Sequence, residues 1–100
     1  MKQIEFKNWL EKKYQQSTAK SRFSNCQNVE NYEGNLDHHF SKDKCFKLLE
    51  KLKYSKDDER NNRPVRHAIP INGNMRNGSA TLKQAVGLYV DFRNGVNPIK

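Results

Sequence analysis

Apolar positions in the first third of the chain recur at helical spacing. Phe6, Trp9, Leu10 and Tyr14 are three or four residues apart and so share one face of a helix. Lys7, Glu11, Lys12 and Lys13 fall elsewhere on the wheel, which predicts a helix over 3–15. Ser17 and Thr18 then offer side-chain oxygens of the kind that cap a helix start. Ala19, Phe23, Cys26, Val29 and Tyr32 follow at threes and fours, and Gly34 suits a left-handed helix end. The second helix is predicted over 18–33.

Leu36 and Phe40 fit one short helical turn. Asp43 is placed to cap a helix over 43–54, with Cys45, Leu48, Leu49 and Leu52 inward. Ser55-Lys56-Asp57-Asp58 reads as a capping box opening a short helix that stops near Asn62, ahead of Pro64. Residues 63–78 hold two prolines, two glycines and three asparagines at 72, 74 and 77, which predicts a loop. Val65, Ile69 and Ile71 should hold that loop against the body. Ser79 is read as the cap of a last helix over 80–93, with Leu82, Ala85, Val86, Tyr89 and Phe92 as its buried stripe. Val, Ile and Thr never alternate over a strand length, so the expectation is all-α: a bundle of four to five helices with a long ordered loop before the last.

Composition sets the scale. One hundred residues make a single domain, 1–100. Charged residues reach 30% and apolar ones only 34%, but ten aromatics and sixteen Leu, Ile and Val are too many for a disordered tail. The longest apolar runs are a few residues, too short for a membrane span. The first residues lack the apolar core of a secretory signal, and two cysteines make no disulfide scaffold. Cys26 and Cys45 are therefore read as buried free thiols, and the expected compartment is the cytoplasm.

Charge changes the picture most. The net charge is +8, divided as +4 over residues 1–24, −1 over 25–60 and +5 over 61–100. Basic surface is expected where the two ends meet, and such surface attracts polyanions, nucleic acid first. No enzyme constellation accompanies it. Asp37-His38-His39 with Cys45 matches no zinc spacing, and no Walker loop, Gly-x-Ser-x-Gly or His-Glu-x-x-His is present. A magnesium nuclease built on Asp57, Asp58 and His67 is the remaining enzymatic reading, although the 57–59 acids read first as a favourable helix start. No cofactor is called for.

Two groups suit phosphate and base contacts. Thr18, Lys20, Ser21 and Arg22 crowd the start of the second helix. Arg63, Arg66, His67, Asn74 and Arg76 lead into the last helix, where Ser79, Thr81 and Lys83 continue the group. The plainer reading is that the Asn-Gly pairs make turns and the arginines pair with the acids at 57–59. Lys42, Lys44, Lys47, Lys51, Lys53 and Lys56 read as a solvated face, and Trp9 and Tyr14 as core.

The order of elements resembles the N-terminal core-binding domain of tyrosine recombinases and phage integrases, a SAM-like bundle of about four helices. The residues that carry this are Phe6-Lys7-Asn8-Trp9-Leu10, Ser17-Thr18-Ala19-Lys20-Ser21-Arg22, and the closing stretch from Ala80-Thr81-Leu82-Lys83 to Tyr89-Val90-Asp91-Phe92. The resemblance implies a domain that clamps duplex DNA while a separate domain cuts. It places Thr18, Lys20, Ser21, Arg22, Ser79, Thr81 and Lys83 at the contacting helix starts. That family's catalytic residues are not in this stretch, and the 63–78 loop exceeds its usual turns. Ser21-Arg22-Phe23-Ser24-Asn25, residues 54–64 and Ile69-Pro70-Ile71-Asn72-Gly73-Asn74 are also similar to N-terminal modules ahead of nuclease domains in bacterial restriction-type proteins. The expected function is thus non-catalytic binding of duplex DNA in a phage or mobile-element type protein, with no membrane partner. A protein partner or a separate catalytic domain is the further association expected. The competing expectation is a phage-type interaction module that inhibits a host nucleic-acid enzyme.

Overall fold

The longest apolar stripe forms the axis of the fold. In the computed structural model, which describes residues 1–99, it lies on α6 (Met75–Arg93), whose Leu82, Ala85, Val86, Leu88 and Tyr89 are buried. Five helices precede it: α1 (Gln3–Lys13), α2 (Gln16–Glu33), α3 (Leu36–Asp43), α4 (Phe46–Leu52) and α5 (Lys56–Arg60). No strand occurs among the described residues, so the all-α expectation holds, with six helices rather than four or five. No described helix is long and apolar enough to cross a membrane.

α2 and α4 pack along α6, and α1 packs mainly on α2. Phe6, Trp9 and Leu10 of α1 are buried as their spacing requires. The Phe6 ring meets Tyr89 edge-on at 4.9 Å and lies 5.4 Å from Phe92, a preferred aromatic geometry. Trp9 donates its Nε1–H to the Val96 carbonyl at 2.8 Å, which ties the chain beyond α6 back to α1. Both cysteines are buried free thiols: Cys26 Sγ donates to the Ala85 carbonyl at 3.2 Å and Cys45 Sγ faces the Leu36 carbonyl. Asp37 gathers a polar cluster beside this core. Tyr89 Oη donates to its carboxylate, Arg93 pairs with it, and the Met1 amine lies 3.3 Å away.

Several boundaries differ from expectation. The stretch read as one helix over 43–54 is broken, because Lys44 and Cys45 both adopt left-handed backbone. This corner turns Cys45 inward; Asp43 ends α3, and its carboxylate still accepts the Lys47 N–H at 3.2 Å. Asn35 caps α3 by accepting from the N–H groups of Asp37 and His38. α2 starts at Gln16, so Ser17 and Thr18 lie inside its first turn and cap nothing. α6 starts at Met75 with Asn74 as its cap, five residues before the expected start at 80 with Ser79 as cap, and the loop is shorter by that turn. The capping box at Ser55 and Asp58 forms as the sequence predicts. Tyr32, placed with the inward residues of the second helix, is half exposed.

Candidate nucleic-acid interface

The loop between α5 and α6 is held in place at several points. Tyr54 Oη donates to the Arg63 carbonyl at 2.6 Å, and Ala68 donates its N–H to Glu33 Oε2 at 2.7 Å. Ile69 is buried, and Ile71 lies so close to Gly78 that a Cβ there would come within 2.4 Å of its Cγ2. Gly78 thus sits inside the helix because the loop packs on it, whereas Gly73, at φ +97°, makes a true turn.

His67 is the centre of this attachment. Its Nδ1 accepts the Ile69 N–H at 3.2 Å, so the neutral ring carries its proton on Nε2 and donates to Ser79 Oγ at 2.9 Å. Burial holds the imidazole pKa below its ordinary value, outweighing the nearby Glu33 carboxylate. His67 and Ser79 are both buried and point at each other rather than at a ligand. The nuclease trio does not assemble: Asp58 is engaged by Ser55 and Arg63, and His67 faces Ser79. No group of three His, Cys, Asp or Glu side chains suited to a metal converges among the described residues.

The loop presents Arg66 to solvent, and its charge is felt at the end of α4. There Lys53 Nζ bonds Glu50 Oε1 at 2.7 Å, and the charges of Arg66 and Lys83 act on the same carboxylate. The Lys53 bond first, then these charges, hold the Glu50 carboxyl below its usual range. Lys53 and Lys83 line one groove of about 250 Å³ with Leu52, Tyr54, Ser55 and Ala80, and Lys53 is the cation in direct contact with Glu50. In the sequence Lys53 reads only as part of a solvated face. Its one local mark is that it follows the last buried leucine of α4.

The other expected residues are divided. Arg63 pairs with Asp58 at 3.0 Å and Arg76 with Glu59 at 3.8 Å, which is the plainer reading of those arginines. Thr81 Oγ1 donates to the Asn77 carbonyl and faces a second groove with Asn25, Asn28 and Asn72. Lys20 lines a different groove, with Ile4, Lys7 and Glu11, and Ser21 is exposed. Thr18 and Arg22 are half-buried, and the buried Nε of Arg22 has no hydrogen-bond partner. The two expected cationic groups thus occupy separate places, since Lys20 borders α1 whereas Arg66 and Lys83 border α4. Among the described residues, twelve Lys and Arg have no carboxylate within 4 Å, against four unpaired carboxylates, so the excess charge rests on cations without a carboxylate partner.

No protein family, curated protein or solved structure matches this chain.

Proposed function

We propose that this chain is a non-catalytic duplex-DNA-binding domain that grips the phosphate backbone with Lys53, Arg66 and Lys83. The observation that carries the reading is that Lys53 at the end of α4 and Lys83 of α6 line one groove, with the exposed Arg66 of the attached loop adding its charge there. Phosphate contacts of this kind need mobile cationic tips on a fixed frame, and the loop anchors supply the frame. Arg63 and Arg76 are held by the α5 carboxylates Asp58 and Glu59 and add field, whereas Lys53, also paired, lines the groove and exchanges Glu50 for a phosphate to make its contact. In this reading the chain is the DNA-binding part of a phage or mobile-element type protein. A SAM-like core-binding architecture, as in tyrosine recombinases, is the fold type that the resemblance supports.

The test is anisotropy binding to a duplex of about 25 base pairs over a series of salt concentrations. Lys53→Ala, Arg66→Ala and Lys83→Ala should each weaken binding and lower the salt slope by about 0.9 for each phosphate no longer neutralised. Lys12→Ala, on the exposed side of α1, should change neither. Slopes unchanged in all three variants would remove these residues from the interface. A chain that ignores DNA at low salt but captures an acidic protein through the same cations would instead be an interaction module, of the kind that blocks a nucleic-acid enzyme.

A further inference from the structure

The outer side of α4 carries a side chain that folding does not use. Phe46 is 63% exposed, lies outside the core cluster, and opens α4 immediately after the left-handed pair Lys44 and Cys45. That corner fixes the register. Cys45, Leu48 and Leu52 point inward, so Phe46 is turned to water. Single exposed apolar residues are common on protein surfaces and by themselves mean nothing. The position of this one is what matters. Phe46 and Glu50 are spaced i, i+4 and share one face of α4, and Lys53, the residue that ends the helix, bonds Glu50 through its Nζ at 2.7 Å. The aromatic ring therefore lies on the same face of α4 as the Glu50 carboxylate that Lys53 holds. It is about 10 Å from Lys53 along the helix, at about 1.5 Å per residue. Lys42, Lys44 and Lys47 are exposed near it in sequence, with Asp43 the one acid from 42 to 47.

From this placement we infer that Phe46 is a base-stacking residue, and that the preferred ligand is DNA with a locally opened base step rather than an intact duplex. The inference rests on the proposed DNA-binding face and deepens it. A chain of lysines tracking phosphates beside an exposed ring is the combination that holds unstacked bases. About 10 Å is about three nucleotides at about 3.4 Å per nucleotide, so the cluster can hold phosphates while the ring reaches a base on the same strand. Charge complementarity selects a polyanion over an apolar peptide for this stripe, because cations outnumber acids on the residues flanking the ring.

The experiment compares wild type, Phe46→Ala and Phe46→Trp on two DNAs of the same sequence, one intact and one with a single unpaired purine bulge. Wild type should bind the bulged duplex about tenfold more tightly, within the range of one base–aromatic stack. Phe46→Ala should lose that preference, yet keep its affinity for the intact duplex, its salt slope and its melting temperature. Phe46→Trp should retain the preference. Equal wild-type affinity for the two DNAs, or a preference that survives in Phe46→Ala, would overturn the stacking role and leave the cation cluster standing. Absence of binding to either DNA at low salt would overturn the DNA-binding face itself, and the stacking role with it.

Discussion

His67→Ala should be among the costliest single substitutions outside the aromatic core. The imidazole satisfies two groups at once, the Ile69 N–H and Ser79 Oγ, at buried positions. Each buried group left without its partner costs about 1–3 kcal/mol. The Ser79 hydroxyl can turn toward a carbonyl one turn back on α6 and recover part of its share. A net loss of about 2–3 kcal/mol remains, a large fraction of the roughly 5–15 kcal/mol usual for a folded domain. At about 4–8 °C per kcal/mol for a chain of this size, the melting temperature should fall by about 8–24 °C. Ser79→Ala leaves only the Nε2–H unpaired and should cost about 1–3 kcal/mol. The double variant should cost less than the sum, because the two single substitutions break one shared bond. Calorimetry and urea unfolding measure all three. A His67→Ala melting temperature within about 2 °C of wild type, well below the shift expected per kcal/mol, or strict additivity of the pair, would refute the attachment described for the loop.

The same ring gives a pH dependence of known sign. Burial lowers the folded pKa of His67, so the folded state binds fewer protons than the unfolded one below the ordinary histidine value of about 6.5. Its stabilising share is therefore complete above about pH 6.5 and is lost as pH falls through the lower folded pKa. Wild type should lose stability as pH falls below about 6.5 that His67→Ala does not, measured by melting at each pH. Gly78→Ala should destabilise despite gaining about 1 kcal/mol of helix propensity, because its Cβ would meet Ile71 at 2.4 Å. Ile71→Ala should reverse that sign when the two are combined, as urea midpoints would show. Burial pushes the Cys45 thiol up to about 11 and raises Cys26 as well, so neither should react with Ellman's reagent at about pH 8 until the protein unfolds. Asp37→Asn should cost about 1–3 kcal/mol in urea unfolding, since Tyr89 and Arg93 both lose their charged acceptor.

What is legible in the sequence is local. The stripes of α1, α2 and α6 follow from spacing alone, and the capping box at Ser55 and Asp58 declares itself in four residues. What is not legible depends on partners far along the chain. Asn77-Gly78 looks like Asn72-Gly73, yet only the second carries a positive-φ glycine; the first is helical, started by the Asn74 cap, and Ile71 packs closely on Gly78. Ser79 has the chemistry of a cap, but a histidine 12 residues earlier takes its hydroxyl into the interior. The break between α3 and α4 needs two consecutive left-handed residues, Lys44 and Cys45, neither of which is a glycine that would have marked it. The candidate site shows the same division. Arg66 and Lys83 stand out as cations near the last helix, whereas Lys53 joins them only because α4 runs back along α6.

The most direct test of the DNA-binding account is the salt dependence of wild-type binding to a random duplex. With Lys53, Arg66 and Lys83 each on one phosphate, log K should fall by about 2.7 per decade of salt, at about 0.9 per contact. Affinity at low salt with a slope of that order is the predicted result. Absence of binding at low salt, or binding that does not weaken as salt rises, would contradict it.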